Sequence, residues 1–389
     1  MSPALACSVN RIQSNASRPF ARRSRRGSKL LPDFFTDASR LSWSAFGRTS
    51  PNPPVGAVIE DSAGHVVGHG ATEPAGGRHA EIVALGQAGT RAHGGRAIVT
   101  LEPCNHTGRT GPCSQALIAA GISRVDYLFA DPFQPASGGA ECLREAGIEV
   151  HGPYLPSPEQ IAAWTPVQAV EPWLRGVKNK RPHVILKLAT TLDGRMAASD
   201  KTSQWITGEV ARQHAHRRRA GVDAILVGTG TVAADDPKLT ARDSNGLALP
   251  ADKQPLRVVM GRSGVPEDAA ILHQRGEVMI ARTHDVHEVL QDLHARGVVT
   301  VLVEGGPTTA AAFLAADVVD EVNFYGAPAL LGGGFNAIEG GEGGSDLATG
   351  PVSYLGRTIA DMRRFTPRQI EVLGDDVLWT LTAAEGREN

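Results

Sequence analysis

The chain has 389 residues, 41% of them apolar and 21% charged, and a formal net charge of −2. That length exceeds one ordinary core and suggests two domains, the composition fits a soluble globular protein, and the near-neutral balance gives no general case for nucleic-acid or membrane partners. No stretch approaches the ~18 uninterrupted apolar residues of a membrane span. Four cysteines, Cys7, Cys104, Cys113 and Cys142, are too few for a disulfide framework. A reducing, cytoplasmic setting is therefore expected, in which paired cysteines read as metal ligands or catalysts.

Residues 1–32 hold seven basic residues (Arg11, Arg18, Arg22, Arg23, Arg25, Arg26 and Lys29) and no acid, leaving a balance of −9 on the remainder. This leader has no apolar run and so is not a secretory signal. Its Ser/Arg content resembles an organellar transit peptide, but the favoured reading is a disordered basic tail or a stretch outside the folded unit. A disordered leader is expected over 1–33.

From about Phe34 to Gly152, strands alternate with helices. VGAVIE (55–60) and HVVGHG (65–70) predict a strand pair around Asp61–Gly64. Helical spacing runs from His79 to Ala88, AIVTLEPC (97–104) is a strand entering a loop, and SQALIAAG (114–121) is helical. RVDYLFAD follows as a strand, and ECLREAGIEV as a helix feeding a short strand. Six prolines punctuate 153–182, which reads as a linker with a short helix around Glu159–Trp173. Alternation restarts at His183. VILKLATTLDGR is a strand ending in an Asp-Gly turn, 208–220 a very basic helix, AILVGTGT a strand, and LRVVMG, EVMIA and TVLVE further strands. HEVLQDLHARG and TTAAAFLAAD are helices, and the stretch from VVDEVNFYG to DDVLWTLTA is mostly strand. Two unlike α/β layer units are expected, the second with a sheet buried on both faces. The expected divisions are 34–152, a linker 153–182, and 183–389.

The strongest signal is His79-Ala80-Glu81, then Pro103-Cys104 and, eight residues on, Pro112-Cys113. One His and two Cys suit tetrahedral zinc with the fourth position left to water, whose pKa zinc lowers towards about 7. Glu81, two residues from a ligand, can reach that water without binding the metal, the layout of nucleobase deaminases. Cys113 opens a helix, whose dipole favours thiolate. The cysteine spacing is longer than C-x-x-C, and His106 in the insert could close a purely structural site as a fourth ligand. Asn52, between prolines, could read a base edge with its amide or simply make a turn. In the second half, Val301–Thr308 reads as strand, Gly turn and helix start, which offers N–H groups to a phosphate or merely a tight turn. It is not the G-x-G-x-x-G fingerprint, and Gly228-Thr229-Gly230 is too short to be one.

PNPPVGAVI, GGRHAEIVAL, VTLEPCNHTGRTGPC and ALIAAGI resemble the deaminase half of the bifunctional riboflavin-biosynthesis deaminase–reductases. LKLATTLDGR, SQWITG, AILVGTGTVAADDPKLTAR and VEGGPT resemble the reductase half, in the same order. The resemblance runs from about residue 34 to the end. It implies a cytidine-deaminase-like α/β/α fold followed by a dihydrofolate-reductase-like α/β fold. The implied reactions are deamination of 2,5-diamino-6-ribosylamino-4(3H)-pyrimidinone 5′-phosphate and then NADPH-dependent reduction of 5-amino-6-(5-phosphoribosylamino)uracil to the ribityl product. It implies zinc on His79, Cys104 and Cys113, Glu81 as proton carrier, and substrate contacts at Asn52 and Arg109. For the reductase it implies NADP contacts at Ala189, Trp205, Thr231, Asp235 and the turn Gly306, Pro307, Thr308 and Thr309, with substrate contacts at Ser203, Arg219, Leu239, Arg242 and Glu304. Arg219 and Arg242 suit a phosphate, which guanidinium grips bidentately. Lys187 could polarise the sugar oxygen, or be an ion-pair partner. Two departures stand out: Asp131-Pro132-Phe133-Gln134 where the family has Asp-Pro-Asn-Pro, and Gly261 where it has Asp. Retention of only one activity, or a nucleic-acid-binding zinc module supported solely by the leader, are the alternatives. No nucleic-acid or membrane partner is expected, and the oligomeric state is open.

Overall fold

The computed structural model describes residues 32–106, 111–133, 136–155, 168–243, 246–338 and 358–383. The first unit opens with helix α1 (Thr36–Ala45) and builds a five-stranded sheet. Its strands are β1 (Gly56–Glu60), β2 (Val66–Ala71), β3 (Arg96–Leu101), β4 (Arg124–Phe129) and β5 (Glu149–His151), in the order β2-β1-β3-β4-β5. β1 runs antiparallel to β2 and β3, whereas β3, β4 and β5 are parallel. The β1–β2 turn is fixed by the Asp61 carboxylate, which accepts from the N–H of Ala63 and His65 at 2.9 Å each. The parallel strands are connected through α3 (Cys113–Ala119) and α4 (Gly139–Glu145), as parallel pairing requires a crossover.

Helix α2 (Ala80–Ala88) lies on β2 with almost no gap. A Cβ at Gly70 would fall 2.0 Å from the Ala80 carbonyl oxygen and 2.7 Å from the Ala84 nitrogen. Only glycine permits that approach, and it sets the height of the first turn of α2, which carries Glu81, above the sheet.

The second sheet has eight strands: β6 (His183–Thr190), β8 (Ala224–Gly228), β9 (Leu256–Met260), β10 (Val278–Ala281), β11 (Thr300–Val303), β12 (Glu321–Gly326), β14 (Phe365–Leu373) and β15 (Asp376–Ala383). Their order is β10-β9-β8-β11-β6-β12-β15-β14. The first six in that order pair in parallel and the last two add an antiparallel edge. A small ladder pairs β7 (Arg195–Ala197) with β13 (Phe335–Asn336). Side chains of the central strands alternate between two cores. Val184, Leu186, Leu226 and Val303 belong to one, and Ile185, Ile225, Val227 and Leu302 to the other. The central strands are thus buried on both faces, which explains their unbroken apolar runs, whereas the antiparallel edge exposes Ile370, Val372 and Trp379. Helices α6 (Glu209–Ala220), α7 (Thr229–Asp235), α8 (Val286–Ala295) and α9 (Pro307–Ala315) complete this unit.

Two element expectations need correction. The strand at AILVGTGT stops at Gly228, and Thr229 begins α7. In the proline-punctuated stretch, 156–167 lie outside the described residues, and helix α5 runs over Glu171–Asn179 rather than ending at Trp173. Pro172 suits the start of α5: a proline fits the first turn of a helix and breaks its interior. Helix α5 is not a bare tether. Val170, Trp173 and Leu174 join the core of the first unit, and Val299, next to β11, packs against the same cluster. Among the described residues no helix is long and apolar enough to cross a membrane.

Candidate active sites

The first site grows from three chain segments. His79 caps α2 in an extended conformation, the loop after β3 delivers Cys104, and Cys113 begins α3. His79 Nδ1 lies 3.5 Å from Cys104 Sγ and 3.4 Å from Cys113 Sγ, and the three ligand atoms fall within 4.8 Å of one another. Zinc with ordinary bond lengths in a tetrahedron separates a nitrogen from a sulfur ligand by ~3.6 Å, so the spacing fits that ion. Hydrogen bonding to Cys113 and His79 draws the Cys104 thiol well below its ordinary value, while Cys104 and burial push Cys113 up. The N–H of Cys113, at the start of α3, points at Cys104 Sγ at 3.5 Å. Such a nest of thiolate character is what a soft dication neutralises.

His106 does not join this group. It lines the same cavity, but the only cluster of metal-type ligands among the described residues is the trio. The arrangement with His106 as a closing fourth ligand is therefore not the one formed.

Glu81, 4% exposed, faces this cavity of about 310 Å³ together with His79 and Cys104. Burial and the neighbouring Cys104 thiolate push its carboxyl up to about 7. Asn52 also lines the cavity, on a loop tied by two bonds: its N–H donates to the Thr49 carbonyl and the Thr49 hydroxyl donates to its carbonyl, both at 2.9 Å. Arg109 and Gln134 lie outside the described residues. Phe133, where the resemblance implies Asn, is a half-exposed wall of the cavity, and its N–H donates to Asp131. Asp131 is itself a buried wall residue whose carboxyl burial raises to about 6. Sequence reasoning missed Asp131, Glu102 and Trp173 as cavity walls. The first two adjoin family motifs, but Trp173 comes from α5 and had no local signal.

The second site lies at the carboxyl ends of β6, β8 and β11. Register places Lys187 of β6 one residue beyond the Leu186–Val303 pairing, level with Glu304. Glu304, 7% exposed, accepts from Arg219 Nε at 2.6 Å and Nη2 at 2.9 Å. Arg219 and Lys187 offset the burial of that carboxylate and hold it at about 2, whereas burial lowers the Lys187 ammonium despite Glu304 beside it. His216 of α6 sits among Arg219, Arg242, Glu304 and Lys187, so that burial and the cations depress its pKa. Sequence reasoning passed over His216 inside a basic helical run. Tyr325 lies 5.8 Å beneath the Lys187 ammonium and shares a 2.9 Å hydrogen bond with His214. Arg242 gives one bond to the Gly246 carbonyl at 2.9 Å, and Leu239 is buried with φ +49°.

Beside this group is a tight backbone cradle. Gly306 caps α9 and donates its N–H to the Thr231 hydroxyl at 3.0 Å. Cβ atoms at Gly228 or Gly305 would lie 2.5 Å from Thr309. Thr231 of α7 thus touches the turn before α9, and Thr309 of α9 packs against Gly228 before α7, with Pro307 and Thr308 in the first turn of α9. Ala189 follows on β6, Asp235 ends α7, and Ser203 stands on the loop after β7. Trp205 on that loop is 68% exposed, with the Arg212 guanidinium 4.5 Å from its ring centre. Gly261 has φ +145°, and a Cβ there would fall 2.5 Å from the Thr229 hydroxyl, so this chain's backbone leaves no room for Asp.

Two family models match: the cytidine and deoxycytidylate deaminase zinc-binding region over residues 30–129, and the RibD C-terminal domain over residues 182–378. The chain is 46% identical over 342 residues to riboflavin biosynthesis protein RibD of Mycobacterium tuberculosis, covering 88% of this chain and 94% of that one. It is 47% identical over 301 residues to RibD of Corynebacterium ammoniagenes, covering 77% and 87%. The crystal structure of a diaminohydroxyphosphoribosylaminopyrimidine deaminase/5-amino-6-(5-phosphoribosylamino)uracil reductase from Thermotoga maritima superimposes with a TM-score of 0.77 at 30% identity, over 90% of this chain and 97% of that one. The chain thus belongs to the RibD family, the bifunctional deaminase–reductases of riboflavin biosynthesis.

Proposed function

We propose that the first site removes the 2-amino group of 2,5-diamino-6-ribosylamino-4(3H)-pyrimidinone 5′-phosphate as ammonia, and that the second reduces the ribosyl chain of the resulting uracil nucleotide to ribityl with NADPH. The observation that carries the reading is the trio His79, Cys104 and Cys113 beside a buried Glu81 in one cavity. Zinc held there would lower the pKa of a water towards about 7. Glu81 would carry the two protons of the attacking water in turn, the first to the ring nitrogen and the second to the amine, which leaves as ammonia as the C–N bond breaks. Asn52 orients the base edge, and Arg109 is assigned to the substrate phosphate.

For the second step, the cradle of Gly306, Pro307, Thr308 and Thr309 with Thr231 suits dinucleotide phosphates, since a helix N-terminus presents N–H groups to anions. Ala189, Trp205 and Asp235 are the remaining contacts assigned to NADPH. NADPH would supply the hydride. Lys187 donates a proton or hydrogen bond to the sugar oxygen, held in place by Glu304. Arg242 and the Nη1 edge of Arg219, which lies outside the fork to Glu304, are assigned to the 5-phosphate, with Ser203 and Leu239 lining the sugar. The proposed extents are 34–152 for the deaminase domain, 153–182 for the connection and 183–389 for the reductase. Incubating the purified protein with the diaminopyrimidine nucleotide, with and without NADPH, tests both steps by mass. Without NADPH the product should show replacement of NH₂ by a carbonyl oxygen, and with it a further gain of two hydrogens. An unchanged nucleotide in both would refute the reading.

A further inference from the structure

We infer that helix α5 forms part of the deaminase site, with Trp173 as a positioning residue for the Asn52 loop and the Glu171–Arg368 pair fixing that helix to the reductase sheet. This rests on the deaminase reading above. The matched deaminase region ends at residue 129, yet the cavity that holds Glu81 is also walled by Trp173 and Val177 of α5. Trp173 is 7% exposed, and its indole Nε1–H donates to the Pro51 carbonyl at 3.0 Å. Pro51 directly precedes Asn52. The Thr49–Asn52 bonds close the loop on itself, but neither holds it against the cavity. Trp173 does, and from the reductase side Gly297, in the turn between α8 and β11, approaches the Pro51 ring: its Cβ position lies 3.5 Å from Pro51 Cβ.

Helix α5 is in turn anchored to the far edge of the second sheet. Glu171, in its first turn, faces Arg368 of β14 at 3.4 Å with the side chains 4% and 2% exposed. The Glu171 carboxylate also accepts the Gln168 N–H at 2.8 Å. Burial of both charges makes this contact geometrically exacting, because neither group can turn to water. A chain of contacts therefore runs from β14 through Glu171 and Trp173 to the loop that carries Asn52. A tryptophan that only filled core would affect stability alone. A tryptophan that positions Asn52 affects how well the nucleotide binds.

The test uses the full-length protein. Trp173→Phe keeps an aromatic ring and removes the N–H together with the five-membered part of the indole. Glu171→Gln/Arg368→Met removes both charges together, so no lone buried ion remains. Ammonia release is measured with the diaminopyrimidine nucleotide, zinc by metal analysis, and NADPH oxidation with separately prepared uracil nucleotide as an internal control of folding. Trp173→Phe should raise the deaminase KM about 3- to 10-fold, the range expected for losing one buried hydrogen bond. Its kcat, zinc content and NADPH oxidation should stay at wild-type values. The double variant should show the same KM-selective change. A deaminase KM at the wild-type value in either variant, with only a lowered Tm, would overturn the inference, and so would loss of zinc. A wild-type protein that released no ammonia would instead defeat the deaminase reading itself.

Discussion

The Glu304→Gln variant probes the reductase site through stability. In the wild type the Glu304 carboxylate is 7% exposed and receives two bonds from Arg219, with Lys187 nearby. A carboxyl that titrates at 4.5 when unperturbed and at about 2 in the folded chain contributes about 3 kcal/mol to folding at neutral pH, at roughly 1.4 kcal/mol per tenfold. Breaking one side of a buried ion pair independently suggests about 3–5 kcal/mol. The folded-state pKa is depressed, so the contribution is complete above the unfolded value and disappears as pH falls through the folded one. Urea unfolding, followed by fluorescence and circular dichroism, should place the variant about 3 kcal/mol below wild type from pH 7 to 5. The gap should narrow below 4.5. A variant within about 1 kcal/mol of wild type at pH 7, or a gap undiminished near pH 3, would refute the electrostatic account of this pair.

Two further outcomes follow from the same geometry. Gly70→Ala forces a Cβ to within 2.0 Å of the Ala80 carbonyl, so α2 must lift and carry His79 and Glu81 with it. Zinc content and ammonia release should fall together while NADPH oxidation persists, and retention of full zinc would contradict the packing argument. Burial lowers the Lys187 pKa from 10.5, so its cationic form, and with it the reduction if Lys187 acts as proposed, should be lost on the alkaline side at a pH below that of an ordinary lysine. Lys187→Met should reduce reductase kcat about 100-fold or more with the deaminase intact. A pH profile flat to pH 10.5 would argue that Lys187 does not act in proton donation.

Much of both sites was legible because the chemistry is local in sequence. His79 and Glu81 share one helix start, Cys104 sits in the loop just after a strand, and Cys113 opens a helix, so ligand type and position arrive together. The turn from Val301 to Thr308 likewise showed its strand, glycines and helix start directly. Contacts between distant segments were not legible. Nothing near Trp173 indicates that it will meet Pro51, 122 residues earlier, and nothing near Glu171 points to Arg368, 197 residues later. The helix expected around 159–173 falls largely outside the described residues, and what went unread is helix α5 over Glu171–Asn179, which Pro172 opens. His106 had the right chemistry for a ligand, but reach from the insert decides coordination, and a sequence does not contain reach. Gly261 looked like a loss relative to the family, whereas its positive φ and the Thr229 hydroxyl beside it show a backbone that requires glycine.

The most direct test of the account is Glu81→Gln, measured for bound zinc and for ammonia release on the same preparation. The amide preserves shape and cannot carry the proton. The account predicts about one zinc per chain, as in wild type, unchanged NADPH oxidation on the uracil nucleotide, and ammonia release reduced at least ~10²-fold. Ammonia release at the wild-type rate in that variant would contradict it.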